Sequence, residues 1–236
     1  DIGVLCASAD VQADRIEVLV NGYSANQTWI VGFQIFYGSP TSESLWNEVE
    51  EYLKTTWPHP SGNDLRITRS FIDSGYETGA VYNFCKKLEA LGVRAIKGGG
   101  GINRAEVGRP TKNNTARCNV FPLGVNTLKT QILARLKIDD PSNSGFINFP
   151  DFLDEEFFLQ LTSERLIKKY VKGIPRMEFK QLRPRNEALD LMVYNLAAFR
   201  SLNANMAIIQ KKLAEIRKSE PKRLQQKRPR SWATNW

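Results

Sequence analysis

Three runs of apolar and β-branched residues open the chain, at positions 4–11, 15–20 and 28–37. In the second run the apolar residues alternate with polar ones, and turns of a few residues separate the runs. Runs of this kind joined by short turns are typical of hairpins. We therefore expect an antiparallel meander of three strands.

A change of period marks the elements that follow. Residues 44–54 and 77–91 place apolar side chains at helical spacing, and extended runs follow them at 65–73 and 93–97. The helix between the two extended runs favours a parallel arrangement of those strands. The pattern predicts an α/β fold with a mixed sheet, three antiparallel strands and then parallel strands, flanked by helices.

The second half of the chain predicts shorter elements around one long core helix. A helix at 125–136 has an apolar stripe, with Lys129 and Arg135 expected on its exposed side. The core helix begins after Pro184, with Asn186 as the expected N-cap. The other expected elements are a strand at 146–149, a helix at 151–161 and an edge strand at 176–182.

Carboxylates recur where predicted strands end. Asp10 closes the first strand and Asp73 closes the run at 65–73, and a buried acid in such a place needs a cation or a hydrogen-bond donor. Asp190 lies on the core helix, and Glu187, three residues earlier, shares its helix face. Hard oxygen ligands suit Mg²⁺ or Mn²⁺ rather than zinc. The four acids thus predict a metal site.

Each of these acids also has a plainer explanation. Asp10 could cap the turn that follows it, with Asp14 as the alternative cap, and an acid before Ser-Gly, as at Asp73, is common in turns. Glu187 and Asp190 could lie on a solvated helix face.

Composition narrows the possible chemistry. The chain has 236 residues, 42% of them hydrophobic and 25% charged, which suits one main soluble domain. It has no apolar run long enough for a membrane span, and its three scattered cysteines do not suggest disulfides or zinc, which fits a reducing cytoplasm. The single histidine, His59, excludes a Ser-His-Asp triad followed by further His ligands, and no P-loop for ATP is present.

Positive charge is concentrated in two segments. The net charge of the chain is +8, and residues 91–137 and 201–236 are strongly basic around an acidic body. Four Gly residues at 98–101 open a segment that we expect to contact the DNA backbone, although a mobile surface loop is the plainer alternative. The cations expected to bind DNA there are Arg104, Arg109, Lys112 and Arg117.

The body and the end of the chain differ in composition. We expect one domain at 1–205 and a basic C-terminal helix or tail at 206–236 that is partly disordered, because its last part lacks the apolar surface to fold alone. The tail could also be only a solubilising segment. The chain begins without Met and directly enters a strand, so we expect a fragment of a longer protein.

Taken together, these residues resemble a known family, the C-terminal nuclease domain of the large terminase subunits of lambda-type tailed phages. The resemblance spans about residues 4–200, and each motif is weak alone but specific in this order. The matching segments are 9–17, 71–75, 81–85, 95–98 and 186–194.

The resemblance implies a ribonuclease-H-like fold and a Mg²⁺- or Mn²⁺-dependent endonuclease that cuts concatemeric viral DNA during packaging in the host cytoplasm. Asp10 would bridge two ions, Asp73 would hold the ion that activates water, and Asp190, with or without Glu187, would hold the ion at the leaving oxygen. Lys97 would neutralise the scissile phosphate. The implied partners are double-stranded DNA, a preceding ATPase domain, the small terminase subunit and the capsid portal.

Two other interpretations stay open at the level of sequence. The chain could be another ribonuclease-H-like nuclease, such as a resolvase or transposase core. It could also be a non-catalytic module that clamps DNA and docks on the portal, in which case its acids are structural.

Overall fold

A mixed β-sheet forms the centre of the computed structural model, which describes residues 2–101 and 104–219. The strands are β1 (Val4–Val11), β2 (Arg15–Tyr23), β3 (Thr28–Tyr37), β4 (Thr56–Trp57), β5 (Leu65–Asp73), β6 (Val93–Gly99), β7 (Thr111–Lys112), β8 (Asn119–Gly124), β9 (Ile147–Asn148), β10 (Glu164–Val171) and β11 (Ile174–Gln181). The helices are α1 (Glu43–Lys54), α2 (Thr78–Lys87), α3 (Val125–Arg135), α4 (Glu155–Leu161), α5 (Glu187–Ser201) and α6 (Met206–Ser219).

The strand order confirms the expected fold. The main sheet runs β7-β8-β6-β5-β1-β2-β3-β9, with β4 paired to β5. The first three strands are antiparallel to one another, whereas β1, β5, β6 and β8 are mutually parallel. This arrangement of an antiparallel meander followed by parallel strands is ribonuclease-H-like. The sequence pattern did not reveal β8, which extends the parallel part.

Alternating side chains of the sheet feed two separate cores. Along β1, Leu5, Ala7 and Ala9 pack in the core that contains α1 and α2. Cys6 packs in the other core, which contains α3, α4 and α5. Because successive side chains of a strand point to opposite faces, Asp10 falls on the same face as Cys6. The acid therefore faces α5.

α5 is the most buried helix of the described structure. Its residues from Glu187 to Ala198 are buried except Asp190, which is partly exposed. A helix that is apolar nearly all round is typical of a core position. It lies against β1, β2 and β5 on one side and against α3 and α4 on the other.

Several predicted boundaries were wrong. Gly98 and Gly99 belong to β6 and do not open a loop, and the segment after them runs beside β8 through hydrogen bonds such as Gly108 N to Pro122 O. The helix expected from residue 151 begins at Glu155 instead, because Asp154 caps it by accepting a hydrogen bond from the Phe157 N–H.

The expected edge strand at 176–182 was also assigned to the wrong sheet. In the described part of the chain, β11 pairs only with β10, in a two-stranded hairpin separate from the main sheet. The alternation that suggested a strand was real. It reflects pairing within the hairpin, whose side chains are mostly exposed.

The last described element is helix α6. Its first residue, Met206, is buried in the core beside α5. The predicted division between a body at 1–205 and a C-terminal segment stays a prediction, and residues 220–236 lie outside the described residues. None of the helices in the described ranges has the length and apolar character needed to cross a bilayer.

Candidate metal centre

Asp10 and Asp73 lie side by side because their strands are parallel neighbours in register. Ala9 of β1 pairs with Ile72 of β5, so each acid is the next residue along its strand. Phe71, two residues before Asp73, packs in the α5-side core, which places Asp73 on the α5 face as well. Both carboxylates thus leave the sheet at the same edge and on the same side.

Asp190 reaches this place because α5 is fastened to the sheet by buried polar contacts. The Asn195 Nδ2 donates hydrogen bonds to the backbone oxygens of Cys6 and Leu19, at 3.2 and 3.0 Å, and Asn195 Oδ1 accepts one from the Tyr23 hydroxyl at 2.9 Å. The Ser8 hydroxyl donates to the Leu191 carbonyl at 2.8 Å. These contacts fix the first turns of α5 over the end of β1.

The three aspartates interact through their charges. Burial raises the pKa of Asp10 to about 7, a hydrogen bond from Gln12 opposes that rise, and the charges of Asp73 and Asp190 add to it. Burial also raises the pKa of Asp73, to which the charge of Asp190 contributes. Three like charges in one buried place are unfavourable unless a cation joins them. Carboxylate oxygens are the ligands that Mg²⁺ and Mn²⁺ prefer, so this donor set fits a divalent metal.

The backbone after β5 shapes the Asp73 side of the site. A Cβ at Gly75 would lie 2.9 Å from Asp73 Oδ2, so only glycine allows the chain to turn this closely around the carboxylate. The N–H groups of Gly75 and Ser74 also donate to the carboxylate and partly offset the rise in its pKa. The Ser-Gly pair that suggested a simple turn therefore also positions the acid.

Both oxygens of Asp190 already have partners. Oδ1 lies 2.9 Å from Lys129 Nζ, and Oδ2 accepts a hydrogen bond from Asn186 Nδ2 at 3.0 Å. In the described ranges, no three side chains of His, Cys, Asp or Glu are grouped closely enough to hold one metal ion as they stand. Asp190 therefore has to exchange a partner, or share an oxygen, to join Asp10 and Asp73 as a ligand.

Glu187 lies in a different cluster from the three aspartates. Its Oε1 accepts a hydrogen bond from Arg15 Nη2 at 2.7 Å and lies 3.3 Å from Arg185 Nε. Both arginines also contact Glu17, which is fully buried. The helix spacing that grouped Glu187 with Asp190 is correct, but Arg15 on β2 takes up its carboxylate.

Lys97 lies at the rim of the site. It is exposed on β6, immediately after Ile96, which pairs with Asp73. Its charge lowers the pKa of Asp73. Alternation along β6 nevertheless places it on the face of Val93 and Ala95, opposite α5.

The four cations predicted to bind DNA lie along the β6–β8 side of the sheet. All four are exposed. Arg104 lies across the glycine backbone, since a Cβ at Gly99 would come within 2.9 Å of its Nη1. The others flank the short strand β7 or follow it, at Arg109, Lys112 and Arg117.

Sequence reasoning placed Lys129 wrongly and missed Glu164. Lys129 was expected to be exposed, but it is buried at 6% exposure and contacts Glu164 and Asp190. Its spacing from Ile132 and Leu136 places it on the buried stripe of α3, and that signal was present in the sequence. Glu164 begins β10 and could be found only through the hairpin, which carries further exposed cations at Lys168, Lys169, Lys172 and Arg176.

Comparison with known proteins follows the same assignment. The sequence profile of the family described as "Terminase large subunit gpA, endonuclease domain" matches residues 1–213. The terminase large subunit of Escherichia phage lambda is 31% identical over 207 residues, which cover 84% of this chain and 32% of that protein. The terminase large subunit of Enterobacteria phage P21 is also 31% identical over 207 residues, covering 83% and 32%. The chain thus spans about a third of the length of these relatives.

Two solved structures share lower similarity with the chain. The Mn-soaked, inhibitor-bound human cytomegalovirus terminase nuclease domain is 15% identical with a TM-score of 0.46, covering 88% of this chain and 86% of that one. The g2p (large terminase) nuclease domain of bacteriophage SPP1 with bound Mn is 10% identical with a TM-score of 0.42, covering 84% and 86%. On the match of its sequence to the family profile, the chain belongs to the endonuclease domains of gpA-type terminase large subunits.

Proposed function

We propose that this domain is a Mg²⁺- or Mn²⁺-dependent endonuclease that cuts concatemeric double-stranded DNA during viral genome packaging. The observation that carries the proposal is the meeting of Asp10, Asp73 and Asp190 on the α5 face of the sheet. Membership of the terminase endonuclease family supports the same activity. A purely structural cluster would not need three buried acids that raise one another's pKa.

Asp10 lies between the other two acids and is the proposed bridging ligand, because its pKa responds to the charges of both. Asp73 and Asp190 are the proposed ligands on either side of it. When bound, a pair of divalent ions supplies an activated water and neutralises charge at the leaving oxygen, in the manner of two-metal nucleases. Glu187, held by Arg15 and Arg185, supports the start of α5 in this proposal.

The other residues of the chain orient the acids and hold the DNA. Gln12 Nε2 donates to Asp10 Oδ2 at 2.8 Å and fixes that carboxylate next to the turn. Lys97 is the proposed contact of the scissile phosphate, since its charge reaches Asp73 from an exposed position. Exposed cations on the β6–β8 side and on the β10–β11 hairpin are the proposed contacts of the flanking backbone.

The setting in the whole protein is also proposed. The curated relatives are terminase large subunits about three times as long as this chain. We expect an ATPase domain on the same polypeptide, with the small terminase subunit and the capsid portal as partners. These would position the DNA that the isolated domain has to capture alone.

The test is cleavage of supercoiled plasmid by the purified domain with Mn²⁺, Mg²⁺ or EDTA. Nicking or linearisation should require a divalent metal and should fall at least about a hundredfold in Asp10→Asn and in Asp73→Asn. Asp64→Asn is the matched control, because Asp64 is exposed just before β5, at the opposite end of that strand from Asp73. It should cleave like the wild type.

A domain that binds DNA but leaves plasmid intact with either metal would contradict the nuclease proposal. The same DNA affinity in the wild type and in Asp10→Asn, with and without metal, would then favour a module that clamps DNA. Product DNA joined to a second molecule, rather than cut, would favour a transposase-like core.

A further inference from the structure

Lys129 supplies a buried positive charge directly beside the candidate metal centre. Its Nζ lies 2.6 Å from Glu164 Oε1 and 2.9 Å from Asp190 Oδ1, and its side chain is only 8% exposed. Asn186 Nδ2 bridges the same two carboxylates, at 2.7 Å from Glu164 Oε1 and 3.0 Å from Asp190 Oδ2. We call these four side chains the Lys129 cluster.

The charges of the Lys129 cluster are unevenly shared. Glu164 has no other acid of the candidate centre as a printed contact and faces two donors, whereas Asp190 also faces the charges of Asp10 and Asp73. A divalent ion held by Asp190 would share that carboxylate with the Lys129 ammonium. Two cations on one buried carboxylate repel each other strongly, because the surroundings screen charge poorly.

We propose that Lys129 is a resident counter-ion that competes with the divalent metal for Asp190, and that Glu164 retains the ammonium when the metal binds. The inference rests on the proposed metal centre. Lys129 is a positioning residue in this account, because it acts through Asp190 and not on the DNA. It keeps the buried acid neutralised in the metal-free domain and lowers the metal affinity of that state.

A lysine that only oriented Asp190 would act in the opposite direction. Loss of a residue that orients a metal ligand usually weakens metal binding by about 10- to 100-fold. Loss of a competing cation strengthens it. The sign of the change in metal affinity therefore separates competition from simple support.

The experiment measures Mn²⁺ affinity by isothermal titration calorimetry in the absence of DNA. Lys129→Met keeps most of the side-chain length without the charge and should bind Mn²⁺ at least about tenfold more tightly than the wild type. Lys129→Arg keeps the charge and should stay within about threefold of the wild type. Glu164→Gln leaves the ammonium to Asp190 alone and should bind Mn²⁺ more weakly.

A second variant guards against misfolding. Lys129→Met leaves two buried acids without their cation, whereas Lys129→Met combined with Glu164→Gln removes one charge of each sign. The double variant should fold and should also bind Mn²⁺ more tightly than the wild type. In thermal melts, Mn²⁺ should raise the melting temperature of Lys129→Met further above its EDTA value than it does for the wild type.

Asp10→Asn separates failure of this inference from failure of the proposed function. Unchanged or weaker Mn²⁺ binding in Lys129→Met and in the double variant would overturn competition. If Asp10→Asn abolishes binding in the same series, the metal centre itself stands. If neither the wild type nor any of these variants binds Mn²⁺, both the inference and the metal centre fall.

Discussion

Arg15 and Glu187 join the start of β2 to the start of α5 through a 2.7 Å ion pair between residues 172 positions apart in the sequence. Both side chains are largely buried, at 15% and 8% exposure. Glu187 thus has a charged partner of its own and does not need a metal ion. This separates its role from that of Asp190, one helical turn later.

Glu187→Gln should therefore reduce stability rather than metal binding. Removing one charge of a buried pair leaves Arg15 with fewer acceptors and should lower the free energy of unfolding by about 1–3 kcal/mol. Urea denaturation measures that loss, and calorimetry with Mn²⁺ should give an affinity close to that of the wild type. Loss of Mn²⁺ binding at unchanged stability would instead make Glu187 a metal ligand.

The raised pKa of Asp10 predicts a specific pH dependence of the metal-free domain. The carboxyl has a pKa of about 7 in the folded protein, well above its value in an unfolded chain. Between about pH 4 and 7 the folded state holds a proton that the unfolded state has lost, so stability falls as pH rises through this window.

Asp10→Asn should remove this part of the pH dependence. In EDTA, its stability advantage over the wild type should grow from about pH 4 to pH 7, to on the order of a few kcal/mol, and then level off. Unfolding at a series of pH values checks the difference. A constant difference between the two proteins would show that Asp10 is not abnormally protonated.

Asn195 should be the most sensitive polar residue in the fastening of α5. Asn195→Ala leaves the Cys6 and Leu19 carbonyls and the Tyr23 hydroxyl without their partner, and should cost about 3 kcal/mol or more. Tyr23→Phe removes only one of these hydrogen bonds and should cost about 1 kcal/mol. Equal losses in the two variants, measured by urea denaturation, would contradict this division.

Exposed cations on the β6–β8 side should determine the salt dependence of DNA binding. Replacing Arg109, Lys112 and Arg117 together by Gln should reduce the slope of log affinity against log salt by up to about 0.9 for each lost phosphate contact. Fluorescence anisotropy with a labelled duplex at several salt concentrations measures the slope.

A matched triple variant tests whether position or only total charge matters. Lys54, Arg66 and Lys86 are exposed cations on α1, β5 and α2. Their replacement by Gln changes the net charge equally and should leave the slope near that of the wild type. Equal effects of the two triple variants would show that DNA binding is not localised on the β6–β8 side.

The sequence was sufficient where a feature depends on local pattern. Asp10 and Asp73 were found because each ends a strand whose own residues predict it, and the parallel pairing that joins them follows from the connecting helix. The periodicity of α5 likewise gave its buried side and the place of Asp190. These features need little knowledge of distant residues.

The sequence was insufficient where a side chain is explained by a partner far along the chain. Lys129 is buried because Glu164 and Asp190 neutralise it, 35 and 61 residues later, and charge alone suggested exposure. The partner of Glu187 is 172 residues away. The β10–β11 hairpin was mistaken for a sheet edge, because alternation reveals a strand but not its neighbour.

The most direct test of the central claim is a crystal structure of the domain soaked in MnCl₂, with anomalous scattering measured for manganese. The account predicts anomalous peaks at the carboxylates of Asp10, Asp73 and Asp190, with two ions about 3.5–4 Å apart at full occupancy. Lys129 should then be found on Glu164. Manganese bound elsewhere, for instance at Glu187, with none at Asp10, would contradict the account.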